Sequence, residues 1–176
     1  MEEKKEGKIE VVRVTEFRDG ESIFESRGFS RVKVTKDGKA RALEIPIKST
    51  GISELVESFV RNAPKPPEKK FLAKPDDEVG KELGLTANKW VFLPDMNDED
   101  YKKRVQDHDQ RMGNAILLKG IDVVIKDKDG GIVEDEDKKI EVFKHMGMST
   151  DHFQQVINDI QALTRWSEKE TESFLA

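Results

Sequence analysis

The stretch "FSRVKVTKDGKARALEIPI" (29–47) decides the fold of the N-terminal part of the chain. Val32 and Val34 alternate with polar residues on one side of the dipeptide Asp37-Gly38, and Leu43, Ile45 and Ile47 alternate on the other side. A period of two is typical of a strand with one buried face. Asp-Gly supplies the positive φ angles of a two-residue turn. The stretch therefore predicts an antiparallel hairpin.

The residues before this hairpin predict a further strand. "KIEVVRVTEF" (8–17) is rich in β-branched residues and ends at the turn dipeptide Asp19-Gly20. Pro46 has no N–H to donate to a ladder, so its strand is predicted to lie at an edge of the sheet or to end there. We expect an antiparallel sheet of three or four strands.

A helix is predicted directly after the hairpin. In "STGISELVESFVRNA" (49–63) the apolar residues step by three and one, which is the stripe of a helix that packs on a sheet. Ser49 or Thr50 is the expected N-cap. The helix, placed at 52–62, must stop before Pro64, because the residue before a proline avoids the helical region.

The proline-rich stretch "NAPKPPEKK" (62–70) has three possible interpretations. Its prolines favour an extended backbone without internal hydrogen bonds, which predicts a stiff linker at 63–70. The spacing of Pro64 and Pro67, with two lysines beside them, also fits the PxxP ligand of an SH3-type domain. The third interpretation is an extended arm packed on this protein or on a sister subunit. The linker is the preferred one.

The region after the linker begins with less regular patterns. "PDDEVGKELGL" (75–85) predicts a short helix, with acidic residues at its start and a glycine near its end. "KWVFLP" (89–94) predicts a short buried strand or an extended apolar segment. A turn about Asp129-Gly130-Gly131 predicts a second hairpin, although the residues before it could instead extend a helix.

Helical patterns dominate the rest of the chain. A long helix is predicted at about 98–118, opening with acidic residues that suit a helix N-terminus. Three shorter helical patterns follow in "DEDKKIEVFKHMG", "STDHFQQVINDIQALT" and "SEKETESFLA". The predicted class is α+β, with an N-terminal antiparallel sheet and one packed helix, then a mainly helical region. The predicted division is a β-rich domain at 1–62, a linker at 63–70 and a helical domain at 71–176.

The composition limits which cellular compartment and which partners are expected. The chain of 176 residues has no cysteine, so it has neither a disulfide framework nor a thiolate site. Residues 1–70 contain 16 Lys and Arg against 13 Asp and Glu, whereas residues 71–176 contain 15 against 23. The acidic half would repel a phosphate backbone, which argues against general binding of nucleic acid. The asymmetry is compatible with self-association or a basic protein partner. With no apolar run of membrane length and no signal peptide, we expect a cytoplasmic protein without membrane association.

No catalytic, metal-binding or cofactor motif is found. The Gly-Lys pairs lack the Ser or Thr and the glycines of a phosphate-binding loop. A calcium loop starting at Asp127 would have Ile132 and Lys138 where it needs glycine and glutamate. The three histidines, which are His108, His145 and His152, form no metal-ligand spacing. We therefore predict a protein that is not an enzyme, with no cofactor and no metal.

Residues 138–160, "KKIEVFKHMGMSTDHFQQVINDI", predict two short helices about a glycine turn, which is the outline of a helix-turn-helix. The second helix offers Gln154, Gln155 and Asn158 to bases. It has no lysine or arginine before Arg165 to contact phosphates. A DNA-binding regulator that uses residues 138–160 is therefore the alternative function, and a plain helical hairpin is the simpler interpretation.

Protein binding is what these patterns favour by elimination. Large aromatic residues make good anchors for a partner when they are exposed. The end of the chain carries Trp166, Phe174 and Leu175, where burial is hard to complete, although docking of all three on the protein's own long helix is the simpler interpretation. The candidate partner-binding residues are Trp90, Phe92, Phe153, Trp166, Phe174 and Leu175.

The layout of residues 97–166 resembles the tail assembly chaperones of bacteriophages and prophages. The resemblance rests on the acidic start "DEDY" of a long helix that ends in "AILLKGI", followed by the paired helices of "KKIEVFKHMGMSTDHFQQVINDIQALT". It implies a small non-enzymatic protein in the cytoplasm of a bacterial host. Its implied partner is the tail tape-measure protein, whose long apolar helices it would cover before the tail tube polymerises. No catalytic residues come with the resemblance.

Overall fold

The computed structural model describes residues 10–165. Four strands and five helices follow one another along this part of the chain. Two two-stranded antiparallel sheets lie in the N-terminal half, and the helices lie mainly after them. The α+β class predicted from the sequence is therefore confirmed. The order is β1 (Arg27–Lys36), β2 (Lys39–Lys48), α1 (Ile52–Arg61), β3 (Glu68–Ala73), α2 (Glu78–Glu82), β4 (Lys89–Pro94), α3 (Glu99–Gly120), α4 (Glu136–His145) and α5 (Thr150–Ala162).

The hairpin predicted at Asp37-Gly38 is confirmed. β1 and β2 pair antiparallel over their whole length, with Lys36 opposite Lys39 on either side of a two-residue turn. Asp37 has φ 53° and Gly38 has φ 75°, so both turn residues take the positive φ that the tight turns of hairpins require. Val32 and Ile47 lie on the face of this hairpin that the helices cover, and both are buried.

Pro46 lies where a proline is tolerated. It pairs with Phe29 at a position whose backbone groups point away from β1, because hydrogen-bonded and non-hydrogen-bonded pairs alternate from the Lys36–Lys39 pair. The missing N–H therefore removes no bond of the β1–β2 ladder. The carbonyl oxygen of Pro46 accepts a hydrogen bond of 2.9 Å from the amide of Asp122. The prediction of an edge strand is confirmed.

The predicted sheet of three or four strands is wrong, and so is the strand at 8–17 over the residues that are described. No strand is found among residues 10–17, although their composition favours one. A β-pattern shows that a segment can pair, but a strand also needs a partner. The two strands after the linker form a separate hairpin instead of extending the first one.

Helix α1 begins at Ile52 as predicted and ends at Arg61, one residue before the predicted end, but its predicted cap is wrong. The N-cap residue is Gly51, at φ 73°, and no side chain caps the helix. Ser49 is engaged elsewhere, because its Oγ accepts a hydrogen bond of 2.8 Å from the amide of Ser26. The residue that precedes Pro64 is Ala63, which needs a non-helical backbone. The helix ends two residues before it, at Arg61.

The proline-rich stretch is shorter than predicted, because its last residues belong to a strand. β3 begins at Glu68 and pairs antiparallel with β4, which confirms "KWVFLP" as a strand. That strand is not buried, contrary to the first of the two interpretations, since none of its residues is fully covered. The short helix expected between these strands is found as α2.

The long helix predicted at about 98–118 is confirmed as α3. The side chain of Asp98 caps it by accepting a hydrogen bond of 2.8 Å from the amide of Tyr101. The expected hairpin about Gly130 is reduced to one isolated bridge between Lys126 and Ile132, closed by a turn. Helices α4 and α5 confirm two of the three C-terminal patterns. The third, at 167–176, lies outside the described residues.

One buried cluster holds the helices and the first hairpin together. This cluster contains residues from before and after the proline-rich stretch. The predicted division of the chain into two domains stays a prediction. α5 lies across α3 and against β1, and the side chain of Gln155 donates to the carbonyl oxygen of Arg31. The buried members are Val32, Ile47, Ile52, Ile116, Leu117, Ile121, Ile140, Phe143, Val156 and Ile160.

Candidate partner-binding surface

Two aromatic side chains are exposed on the hairpin of β3 and β4, which is called the second hairpin from here on. Trp90 and Phe92 are two residues apart on β4, so both point to the same face of the strand. Trp90 is 58% exposed and Phe92 is 66% exposed. Aromatic residues at these exposures present a large apolar area that water covers in the isolated chain. We call the set Lys70, Leu72, Trp90 and Phe92 the aromatic face.

The β3 residues of the aromatic face complete it across the hairpin. Leu72 lies opposite Trp90, and Lys70 lies opposite Phe92. The Lys70 ammonium group lies 5.0 Å from the centroid of the Trp90 ring, which is a cation–π contact between diagonal neighbours. This contact holds the indole against the strand and places a positive charge beside an apolar surface. Lys70 and Leu72 are the two members that sequence reasoning missed, because their place on this face depends on the register of β3 against β4.

A tight corner after β3 supports the hairpin. The Asp77 carboxylate accepts hydrogen bonds from the amides of Lys74, at 2.8 Å, and Gly80, at 2.6 Å. These two backbone bonds hold the pKa of Asp77 below its usual range, because they stabilise the charged form. Gly80 packs so closely that an added Cβ would lie 1.7 Å from the Lys74 carbonyl oxygen. The corner is therefore fixed by contacts with the backbone of Lys74 and Gly80.

The remaining predicted partner-binding residues are not part of the aromatic face. Phe153 lies on α5, half-buried, and its ring contacts that of Phe143 edge to face at 6.3 Å. It therefore belongs to the packing of α4 on α5 rather than to an exposed anchor. The residues Trp166, Phe174 and Leu175 lie outside the described part of the chain. The structure thus places Trp90 and Phe92 together and Phe153 apart from them.

Two of the histidines have structural contacts. His108 donates from Nε2 to the carbonyl oxygen of Phe59 at 2.8 Å and so satisfies a carbonyl near the end of α1. It lines a cavity of about 490 Å³ together with Arg104 and Arg111. His152 accepts from the amide of Ser149 at Nδ1 and contacts the carbonyl oxygen of Lys33 through Nε2 at 2.7 Å. Both rings therefore join elements of the fold.

Metal-binding groupings are not found among residues 10–165, where no three His, Asp or Glu side chains are placed to hold an ion. The loop that resembles a calcium site is closed by its own backbone. Asp127 Oδ1 accepts from the amides of Asp129 and Gly131, each at 2.9 Å. These bonds are those of an ordinary Asx turn, at the position where the sequence predicts a turn about Asp129-Gly130-Gly131.

The helix-turn-helix outline is present as α4, a turn at Gly147, and α5. Several polar side chains of α5 are already engaged within the fold. Gln155 bonds to β1, Gln154 donates to Asn158 at 2.9 Å, and Asp159 accepts from Ser30. A recognition helix needs such groups for base edges. The DNA-binding alternative stays a prediction that no contact in the described structure favours.

An apolar groove lies beside the first hairpin, and sequence reasoning did not identify it. It has a volume of about 260 Å³ and is lined by Leu43, Ile45, Val123 and Met146 among others. The alternation of Leu43 and Ile45 suggested burial, but burial is incomplete because Leu43 is 43% exposed. The groove is thus a second apolar surface, separate from the aromatic face.

Comparison with known proteins gives no match, whether with family models, curated proteins or solved structures. Among residues 10–165 no helix combines the length and the apolar character that crossing a bilayer requires.

Proposed function

We propose that this chain is a non-enzymatic protein-binding factor that captures an apolar segment of a partner on its aromatic face. The observation that carries the proposal is the exposure of Trp90 and Phe92 side by side on one strand face. Trp and aromatic residues are enriched among the residues that dominate binding energy. Lys70 and Leu72 give this face one charged and one apolar flank.

The size of the aromatic face sets the kind of partner it fits. Burying the exposed parts of Trp90 and Phe92 would remove roughly 250–300 Å² from water, worth about 6–7 kcal/mol before any cost. Association costs of about 4–15 kcal/mol offset most or all of this gain. The two side chains therefore act as anchors within a larger contact, such as an apolar stripe on a helix laid along the hairpin.

The resemblance of residues 97–166 to tail assembly chaperones supports a partner class. On that basis the partner is a bacteriophage tail tape-measure protein, met in the cytoplasm of a bacterial host. Such a protein presents long apolar helices, which match a binding surface built from aromatic anchors. The aromatic face is open to any apolar partner of suitable shape, so the binding surface and the identity of the partner are tested separately.

The experiment uses Trp90 as its own reporter. The chain has two tryptophans, so Trp166→Phe leaves Trp90 as the only one. Titration with an apolar helix of a phage tail tape-measure protein should shift the Trp90 emission to the blue as the indole leaves water. Phe92→Ala in the same background should weaken binding by about thirtyfold, the ratio that corresponds to a hot-spot loss of about 2 kcal/mol.

Phe29→Ala is the matched control. Phe29 is 62% exposed, close to the value for Phe92, but lies on β1 of the first hairpin. It should leave the affinity unchanged. Binding that is equally strong with Phe92→Ala would exclude the aromatic face as the binding surface. Absence of any binding by tape-measure helices, to the unmodified chain as well as to the Trp166→Phe variant, would exclude the phage partner.

A further inference from the structure

The described residues before β1 expose an unusual row of apolar side chains. Within residues 10–17, Val11 is 91% exposed, Val12 72%, Val14 53% and Phe17 75%. No strand forms there, although the β-branched content is that of a strand. Contiguous exposed apolar residues mark a surface that a partner covers. We call residues 10–17 the N-terminal arm.

The outer edge of β2 offers backbone groups for pairing. Counting from the hydrogen-bonded Lys36–Lys39 pair, the backbone groups of Ala40, Ala42 and Glu44 point away from β1. Near Pro46 this edge is already occupied, because the amide of Asp122 donates a hydrogen bond to the carbonyl oxygen of Pro46. Along 40–44, no residue from 10 to 165 pairs with this edge outside β1.

The opposite edge of the hairpin is treated differently. The outward carbonyls of Arg31 and Lys33 on β1 accept hydrogen bonds from Gln155 and His152 of α5. Helix α5 therefore covers the β1 edge with side chains. An edge strand that is neither covered nor closed is a template for another strand. The contrast identifies the β2 edge as the one that can receive an added strand.

The N-terminal arm is complementary in charge to this edge in one antiparallel register. With Thr15 opposite Ala42, Arg13 lies opposite Glu44 and Glu16 lies opposite Arg41. Opposite charges that face each other across strands stabilise pairing, and like charges oppose it. Glu44 already pairs with Arg31 on β1 at 3.0 Å, so Arg13 would extend an existing row of alternating charges.

The same register matches apolar residues. Val14 lies opposite Leu43, and Val12 lies opposite Ile45. Leu43 and Ile45 both line the apolar groove. A shift by one residue would turn these valines away from the groove. Met146, which is 76% exposed at the groove, would be covered by the added side chains. Charge and apolar pattern therefore select one register together.

The arm cannot reach this edge within its own chain without loss of structure. In this register Phe17 lies beside Ala40, whereas Ser26 is bonded to Ser49 at the other end of β2. These points are about 30 Å apart along the strand. Turns at 18–21 and 22–25 shorten the connection, which then spans at most about 25 Å. A second copy has no such restriction.

We propose that the N-terminal arm adds to the β2 edge of a second copy of this chain, and that the exchange is reciprocal. Each copy donates residues 12–17 and receives the same residues from its partner, which gives the two-fold dimer that is the commonest symmetric assembly. The two added strands close both open edges and cover both grooves. This surface is independent of the aromatic face.

A disulfide tests the pairing and its register, since the chain has no cysteine of its own. Glu16→Cys with Arg41→Cys places two thiols at a non-hydrogen-bonded pair, where the Cα atoms lie about 4.5 Å apart and a bridge fits. Mild oxidation should give a covalent dimer of twice the 20.1 kDa chain mass. The control, Glu16→Cys with Lys39→Cys, is displaced by two residues to about 7–8 Å and should not bridge.

Each result decides part of the proposal. A bridged monomer would exclude the second copy, and equal bridging in the control would exclude the register. A pair that does not bridge would exclude the pairing.

Sedimentation of the unmodified chain should show a dimer, which Thr15→Pro should convert to a monomer because proline removes the N–H that faces Ala42. A wild-type monomer, or a dimer that survives Thr15→Pro, would overturn the proposal. Residue 15 lies outside every described helix and strand, so folding should be unaffected.

Discussion

The crossing of α3 and α5 depends on the absence of a side chain at one residue. A Cβ added at Gly120 would lie 2.5 Å from Ile160 Cγ2, 2.6 Å from Cδ1 and 2.7 Å from Cγ1. Ordinary contacts between carbon atoms are about 3.5–4.0 Å, so Ile160 would have to move by about 1 Å. Ile160 is fully buried, which leaves it nowhere to move. Overpacking of this kind costs about 1–3 kcal/mol, and we expect Gly120→Ala to lose that much free energy of unfolding.

Gly113→Ala is the matched control on the same helix. Its Cβ would lie 3.3 Å from the end of the Ile157 side chain, which is only half-buried. A small adjustment relieves this contact, and replacing glycine by alanine inside a helix favours folding by up to about 1 kcal/mol. We therefore expect Gly113→Ala to be neutral or stabilising. Urea unfolding followed by circular dichroism at a helix wavelength measures both variants.

A double-mutant cycle separates the clash from other effects. Ile160→Ala alone should cost about 2–5 kcal/mol because it empties a core position. It also removes all three atoms that the Cβ introduced by Gly120→Ala would meet. Gly120→Ala combined with Ile160→Ala should therefore cost less than the sum of the single changes, by most of the cost of Gly120→Ala. Additivity within about 0.5 kcal/mol would refute the packing argument.

Two further predictions concern polar contacts. Asp159→Ala should destabilise the fold by about 1–3 kcal/mol, because it leaves the hydroxyl of the fully buried Ser30 without its acceptor. Ser30→Ala should cost less, because water can reach the Asp159 carboxylate that it leaves unpaired. Equal costs of the two substitutions in urea unfolding would contradict this. The lowered pKa of Asp77 means that its stabilisation is present above the unfolded pKa and is lost as the pH falls through the folded value. The protection factor of the Gly80 amide, which compares its exchange rate with that of an unstructured peptide at the same pH, should therefore fall in that window, and Asp77→Asn should remove this change; a protection factor that does not respond to pH would contradict the assigned cause.

Local signals made part of the fold predictable. The first hairpin follows from turn chemistry at Asp37-Gly38 and from alternation on either side, all within twenty residues. Helix α3 follows from its acidic cap and its length. These elements are specified by residues near one another in sequence, which is the information that periodicity contains.

Elements that depend on distant partners were not predictable. The pattern at 10–17 indicates a strand, but a pattern does not say whether an edge is at hand to pair with. β3 begins inside a stretch that resembles a linker, because that strand is set by pairing with "KWVFLP", which begins at residue 89. The buried Ser30 shows no signal in sequence, since its acceptor Asp159 is 129 residues away.

The candidate site was half predictable for a similar reason. Residue type identified Trp90 and Phe92 as anchors, and their spacing on a strand places them on one face. Their exposure could not be read from the sequence, because it depends on whether another layer covers that face. Phe153 has the same residue type and lies against Phe143 instead. Exposure, rather than residue type, distinguishes the two cases.

The second hairpin is a suitable place for a binding surface because of how it is supported. A two-stranded hairpin is marginally stable alone, and among the described elements β3 and β4 have each other as their main packing partner. Binding surfaces commonly lie on segments of low local stability. The cation–π contact between Lys70 and Trp90 joins the two strands on the aromatic face. A partner that buries Trp90 and Phe92 would supply the missing second layer, so that binding and folding of this hairpin would stabilise each other.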